Sequence, residues 1–260
     1  MKDTIRAFHV QCRVIGALTM REVITRYGRH NIGFMWLFVE PMLFTIGVAT
    51  LWTLSGMHIN SPIPIVAFAI TGYSSVLLWR NMPGRTVHAI EPNLSLMYHR
   101  NVRVIDIFIS RLLLEAVGAT VSFIVLSAAA TAMGWMSMPN DVLKVLVGWI
   151  MLFWFGCSLA LFLGALSSRS ELVDKFWHPS AYLLFPLSGA AFMVEWLPKS
   201  AQDVVLWLPM VHGVEYVRDG YFGETVKTHH DLLYMSGCCL ILTVLGLAQE
   251  RAASRLVSPE

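Results

Sequence analysis

Nine histidines, four cysteines and a few isolated carboxylates are the side chains from which this chain of 260 residues could build a metal centre, a haem site or a nucleophile. The histidines are His9, His30, His58, His88, His99, His178, His212, His229 and His230, and none falls inside a long apolar run. A haem held within a bilayer needs axial histidine there. His229 and His230 are adjacent and could bind a metal ion, but an exposed histidine pair is more often incidental, and no metal site is expected. Cys12, Cys157, Cys238 and Cys239 lack the spacing of a zinc site, and none lies where an outer disulfide framework would form. The sequence has no G-x-x-x-x-G-K-[ST] phosphate loop and no H-E-x-x-H pair, which argues against ATP binding or zinc-dependent hydrolysis by this chain. Gly156-Cys157-Ser158-Leu159-Ala160 lacks the closing glycine of a serine nucleophile elbow. No catalytic residue and no bound cofactor is expected.

Glu40, followed by Pro41, lies within a long apolar segment, about 10 Å from its start at Phe34. An acid at the centre of a membrane helix costs roughly 2.5–3.5 kcal/mol, so Glu40 should face protein or water. Two roles stay open for it and for the nearby Trp36: a structural partner for an arginine or amide, or part of a polar translocation path.

The elements that must carry these residues follow from where charge is missing. Only 14% of the chain is charged, 19 Lys and Arg against 17 Asp and Glu, while 56% is apolar. Mean hydropathy is +0.60. A soluble domain carries about 25% charged residues. The net charge of +2 and the absence of a basic run argue against nucleic acid as a partner. Six apolar runs stand out: Phe34–Leu54, Ile63–Trp79, Leu112–Gly134, Val145–Leu166, Pro179–Val194 and Leu232–Ala248. They are apolar on every side, which predicts helices rather than the alternating strands of a membrane barrel. The longer ones reach across a hydrocarbon core of about 30 Å, and the shorter ones are marginal. Pro186 should bend the fifth run or end it early.

Fifteen of the 19 basic residues fall in segments 1–33, 80–111, 167–178 and 249–260. The positive-inside rule places these segments, and so both termini, in the cytoplasm. The first long apolar run begins only at Phe34, so it reads as a retained helix and not as a signal peptide. The expected fold is an all-α integral membrane protein. A cytoplasmic amphipathic helix (1–33) precedes a domain of six transmembrane helices (34–248) with cytoplasmic loops 80–111 and 167–178 and an outer segment 195–230. A cytoplasmic tail (249–260) follows.

Three segments do more than connect. Within Thr4–Tyr27, the residues Ile5, Phe8, Cys12, Ile15, Thr19 and Val23 recur at helical spacing. Arg6, Arg13, Glu22, Arg26 and Arg29 lie largely off that stripe. Such a helix rests in a membrane interface with its arginines near headgroups, as a simple anchor or as a surface that also docks a partner. Glu91 to Tyr98 has the length of two helical turns, with Pro92 suited to the first. Val204–Val211, interrupted by Pro209, is too short to span. It predicts a re-entrant or interfacial hairpin between the fifth and sixth helices. Glu215, Arg218 and Asp219 follow on one side of a helix.

Three stretches together resemble the type-2 ABC exporter permeases, most closely the capsular polysaccharide branch of Gram-negative bacteria. The first is Arg21-Glu22-Val23-Ile24-Thr25-Arg26-Tyr27-Gly28, continued by Gly33-Phe34-Met35-Trp36 and Glu40-Pro41. The second is Ala89-Ile90-Glu91-Pro92-Asn93, Tyr98 and Val102-Arg103-Val104-Ile105-Asp106, continuing to Arg111 and Glu115. The third is Trp207-Leu208-Pro209-Met210-Val211-His212, Glu215 and Arg218, where Leu208 stands in place of the asparagine common in relatives.

The resemblance implies a homodimer paired with two copies of a separate ATPase that carries ATP and Mg. It implies an interface helix bearing Arg21, Glu22, Arg26 and Tyr27. It implies an ATPase-coupling helix formed by Glu91, Pro92, Asn93, Leu94, Ser95, Leu96, Met97 and Tyr98, with a second contact at Ser168–Lys175 that includes Ser168, Arg169 and Glu171. Trp207, Pro209, His212, Glu215 and Arg218 would belong to an outer gate. The cargo would be a lipid-linked polysaccharide, passed between the two copies in the inner membrane to a periplasmic adaptor and an outer-membrane channel. The alternatives are a permease for O-antigen or another lipid-linked glycan, a non-transporting membrane scaffold, and an intramembrane enzyme.

Overall fold

The structure, a computed structural model, describes residues 2–28, 31–56, 63–99 and 102–257; the side chains of 2–4, 31–34, 99 and 256–257 are not described. Arg29, His30 and His58 lie outside the described residues, as do 57–61 of the stretch 55–61 expected as an outer loop. Among the described residues every regular element is helical. In chain order these are α1 (Lys2–Tyr27), α2 (Asn31–Ser55), α3 (Ile65–Thr86), α4 (Leu94–His99), α5 (Val104–Ala132), α6 (Val142–Ser167), α7 (Leu172–Leu187), α8 (Lys199–Val205), α9 (Pro209–Phe222) and α10 (Leu232–Val257).

Four helices are long and apolar enough to cross a membrane by length and composition: α2 over Met35–Ser55, α5, α6 and α10 over Leu232–Arg255. The other two expected spans are of a different kind. α3 is 22 residues long but carries hydroxyls, Arg80 and Arg85, and most of its residues are buried. Its charged turn still belongs to the helix because the Arg80 guanidinium lies over the rings of Tyr182 and Phe185, at 5.2 and 5.1 Å. α7 starts at Leu172, inside the expected loop 167–178, and has 16 residues. It ends one residue after Pro186, as a proline near a helix end favours.

Local chemistry sets several ends. The Asp141 carboxylate caps α6 by accepting from the N–H groups of Leu143 and Lys144 at 2.9 and 3.1 Å. Asp106, in the first turn of α5, reaches back to the Arg103 N–H at 3.0 Å. Pro92 opens a single 3-10 turn, Glu91–Asn93, that leads into α4.

α3 and α6 form the centre. α3 packs against α2, α5, α6, α7 and α9, and α6 packs against α3, α9 and α10. Close approach depends on small residues, as in membrane helix packing generally. A Cβ added at Gly156 would stand 2.6 Å from Met82 Sδ and 2.9 Å from the Trp79 Cα. Hydrogen bonds cross the same seams: Thr86 donates to the Ala160 carbonyl (2.7 Å), Trp149 to Thr120 (2.9 Å) and Trp154 to Thr243 (3.1 Å).

Candidate functional site

At one end of the bundle α1 lies along α5. Its packed face takes in Ile15, Thr19 and Val23 of the expected apolar stripe, which are partly covered, but not Ile5, Phe8 or Cys12. Leu18 is buried, and Gln11, Val14, Glu22 and Arg26 are partly covered, while Ile5, Phe8, Met20 and Ile24 are exposed. The reason is the partners that α3 and α5 offer. Gln11 donates to Asp106 at 2.9 Å, Glu22 pairs with Arg111 at 3.2 Å, and Arg26 pairs with Glu115. Arg85, in the last turn of α3, reaches the same Glu115 oxygen at 2.8 Å. Arg111 also donates to the Arg85 carbonyl at 2.8 Å. The Arg26 guanidinium lies 5.0 Å from the centre of the Tyr27 ring. Charged pairs thus fill the face toward the bundle, and much of the apolar side points outward.

The same face holds the stretch after α3. Arg21 donates to the Asn93 side-chain oxygen at 2.6 Å, and the buried Asn93 amide donates to the Ala89 carbonyl at 2.8 Å. Leu18, Ile90, Val104, Phe108, Ala165 and Ala253 form a small apolar core here, with Leu96 and Met97 packed against it. Leu96 and Met97 therefore anchor α4, and Glu91, Pro92, Leu94, Ser95 and Tyr98 face outward.

A concavity of about 550 Å³ opens beside α4. Glu91 and Leu94 line one side of it, and Ser168, Arg169, Glu171, Asp174 and Lys175 line the other. Two stretches some 75 residues apart, both expected to couple to a partner, thus form one surface. His88 sits at its edge with φ 55°, the single non-glycine residue among the described residues in the left-handed region. Its Nε2 lies 3.2 Å from Asp174, whose other oxygen is 3.1 Å from His178 Nδ1. This contact ties the turn leading into α4 to α7.

The expected gate residues lie on and around α9, which packs against α3, α6 and α10. Pro209 is its first residue, and Trp207 is exposed just before it. His212, Glu215 and Arg218 recur every three residues and are all buried. Together they satisfy backbone groups of the stretches that surround α9: 189–194, Leu206 and 229–231. His212 Nε2 donates to the Leu206 carbonyl (2.8 Å) while Nδ1 accepts from the Asp231 N–H (2.9 Å), which requires the neutral ring. Glu215 accepts from the N–H groups of Val194 (3.3 Å) and His229 (3.0 Å). Arg218 donates to the carbonyls of Gly189 (2.6 Å), Phe192 (2.7 Å) and Ala190 (2.8 Å) and lies 3.9 Å from the centre of the Phe68 ring. Irregular backbone in a membrane protein needs internal partners of this kind. Farther out, His229 (2.5 Å) and Lys227 (3.1 Å) contact Glu195 and hold its carboxyl below the usual carboxylate range.

Trp36 and Glu40 lie elsewhere, on the exposed side of α2. Among the described residues Glu40 has no hydrogen bond or salt bridge.

The sequence profile of the ABC-2 type transporter family matches residues 13–222, from inside α1 to the end of α9. The chain belongs to this family. Among curated relatives of this ABC-2 transporter chain, the capsule polysaccharide export inner-membrane protein CtrC of Neisseria meningitidis serogroup B is 45% identical over 251 residues, covering 96% of this chain and 95% of that protein. BexB of Haemophilus influenzae, which bears the same descriptive name, is 42% identical over the same shares. The polysialic acid transport protein KpsM of Escherichia coli is 28% identical, over 94% and 95% of the two chains.

Gln11 and Arg85, which the ABC-2 chain uses beneath α1, escape a sequence reading, while Asp106, Arg111 and Glu115 belong to the second motif but have no partner assigned by it. The available signal was an acid, Glu115, near the start of an otherwise charge-free run, which required an unnamed cationic partner.

Proposed function

We propose that this chain is the permease subunit of an ATP-driven exporter that moves capsular polysaccharide, carried on a lipid anchor, across the inner membrane of a Gram-negative bacterium. The observation that carries the proposal is near-complete alignment, at 42–45% identity, with relatives named for capsule polysaccharide export. The chain works as a homodimer, and the polymer passes between the two copies. Two ATPase subunits dock on the surface formed by Glu91–Tyr98 and Ser168–Lys175, bind ATP and Mg, and close on nucleotide. The single concavity between the two stretches supports this docking, since one partner element can engage both. Closure moves α4 and the helices behind it as rigid bodies.

In the membrane, α3 and α7 join α2, α5, α6 and α10 to give six crossings, with both termini cytoplasmic. The distribution of basic residues supports this arrangement. The exposed apolar residues of α1, Ile5, Phe8, Met20 and Ile24, suit an interface helix whose outer face meets acyl chains. α8 and α9 form the re-entrant outer hairpin, with Trp207, Pro209, His212, Glu215 and Arg218 holding the gate, and the polymer passes to a periplasmic adaptor and an outer-membrane channel. Trp36 and Glu40, exposed on α2 of a single copy, stand where a second copy or the cargo path can reach them.

Complementation tests the proposal. The gene should restore surface capsule in a strain of its own host from which it has been deleted, and it should do so only when the partner ATPase is present. A deletion strain that still displays normal capsule contradicts it.

A further inference from the structure

We propose that Glu115 is a positioning residue that makes α1 part of the coupling machinery, so that motion at Glu91–Tyr98 reaches the membrane helices through α1 and α3 together. The proposal rests on the export reading given above.

Glu115 has 8% of its side chain exposed, and one of its oxygens serves both Arg26 of α1 and Arg85 of α3. Arg85 lies six residues before Glu91 on the chain that leads to α4. Arg111, one turn before Glu115 on the same face of α5, holds the Arg85 carbonyl and Glu22 of α1. Arg21, one residue from Glu22, holds Asn93 directly. The contacts close a circuit: α5 to α3, α3 to the 91–93 turn, that turn to α1, and α1 back to α5.

A buried ion group adds little net stability, because the loss of hydration offsets much of the attraction. It does restrict geometry. Moving α1 or α3 alone away from Glu115 takes one of two cations from a buried carboxylate, so positions in which only one helix has moved are disfavoured and discrete arrangements result. Three elements anchored to one carboxylate group therefore shift as a set.

The test compares wild type with Glu115→Gln, Arg26→Gln and the double variant. Each is purified with the partner ATPase, with both ATP hydrolysis and polymer export measured per complex. Glu115→Gln should form the complex and hydrolyse ATP, yet export about tenfold less polymer per ATP, the scale of coupling such networks carry. Arg26→Gln removes only the contact of α1 and should reproduce the loss, Arg26→Lys should restore most of it, and the double variant should be no worse than Glu115→Gln alone. Should Glu115→Gln fail to accumulate, Arg26→Gln decides. Wild-type export per ATP in Arg26→Gln overturns the proposal. Export that falls only in proportion to the amount of complex overturns it too, since that marks a purely structural role. If the wild-type complex neither exports polymer nor hydrolyses ATP, the export reading has failed instead.

Discussion

Arg21 on α1 donates to the side-chain oxygen of Asn93 across 2.6 Å, joining α1 to the turn from which α4 starts. Arg21 opens the motif Arg21-Glu22-x-x-x-Arg26-Tyr27, and its three charged residues have three separate partners: Asn93, Arg111 and Glu115. The motif is a docking code for α1 on the rest of the chain. Its spacing puts Glu22 and Arg26 one turn apart on the face toward α5.

Asn93→Ala should weaken this end first. The buried amide both accepts from Arg21 and donates to Ala89. Its loss leaves the carbonyl of the buried Ala89 poorly satisfied, at a cost of about 1–3 kcal/mol, and frees the exposed Arg21 from the turn. A lower midpoint in thermal unfolding of the detergent-solubilised protein, with reduced export, is expected. An unchanged midpoint counts against the contact.

Gly72 on α3 is a second sensitive point. A Cβ there would stand 2.5 Å from both the Ala190 carbonyl oxygen and Arg218 Nη2. Gly72→Ala should lower stability by about 1–3 kcal/mol through overpacking. Gly84→Ala is the control on the same helix, because its nearest neighbour would be Trp177 Nε1 at 3.8 Å. Relative thermal midpoints of the two variants check this, and equal midpoints contradict it.

Arg218→Lys should not be a mild change. One ammonium cannot reproduce the planar fork that reaches the carbonyls of Gly189, Ala190 and Phe192 while lying on Phe68. Breaking such a buried charge site typically costs about 3–5 kcal/mol. The expected result is little folded protein in the membrane fraction from Arg218→Leu, and a partial yield from Arg218→Lys. A full yield of either contradicts the role given to Arg218.

The Glu195 contacts should depend on pH. Hydrogen bonds from His229 and Lys227 hold the Glu195 carboxyl below its ordinary value. The carboxylate is therefore favoured in the fold, and its contribution is complete above the unfolded value and lost as pH falls through the lowered one. The group is well exposed, so the effect is local. Protection against hydrogen exchange over 227–230, taken relative to the intrinsic rate at each pH, should fall on acidification through the carboxylate range, and Glu195→Gln should remove that fall. A profile unchanged by Glu195→Gln counts against it.

Much of the fold was legible in the sequence because burial in lipid demands long charge-free helices. α2, α5, α6 and α10 coincide with four of the apolar runs. Pro92 marked the turn before α4, and Pro186 the end of α7. Where charge ended an apolar run but not the helix, boundaries moved. α3 continues past Arg80 because aromatic rings of α7 receive the guanidinium, and α7 begins before Asp174 and Lys175 because those side chains face the concavity. The packed face of α1 was hidden for a different reason. Helical periodicity weighs apolarity within one segment, whereas the partners of Glu22 and Arg26 lie 89 residues further along the chain. Likewise, His212, Glu215 and Arg218 could be seen as a polar row, but the carbonyls and N–H groups they satisfy belong to loops whose path no local pattern specifies.

The central claim is that the exposed residues of the 91–98 stretch receive the ATPase. Leu94 projects from α4, while Leu96 and Met97 anchor it, so Leu94→Asp should disturb docking without unseating the helix. The direct measurement is co-purification of this variant with the partner ATPase, alongside its level in the membrane. A normal membrane level with loss of the bound ATPase and of surface capsule is the expected result. A variant that retains the ATPase and displays normal capsule contradicts the claim.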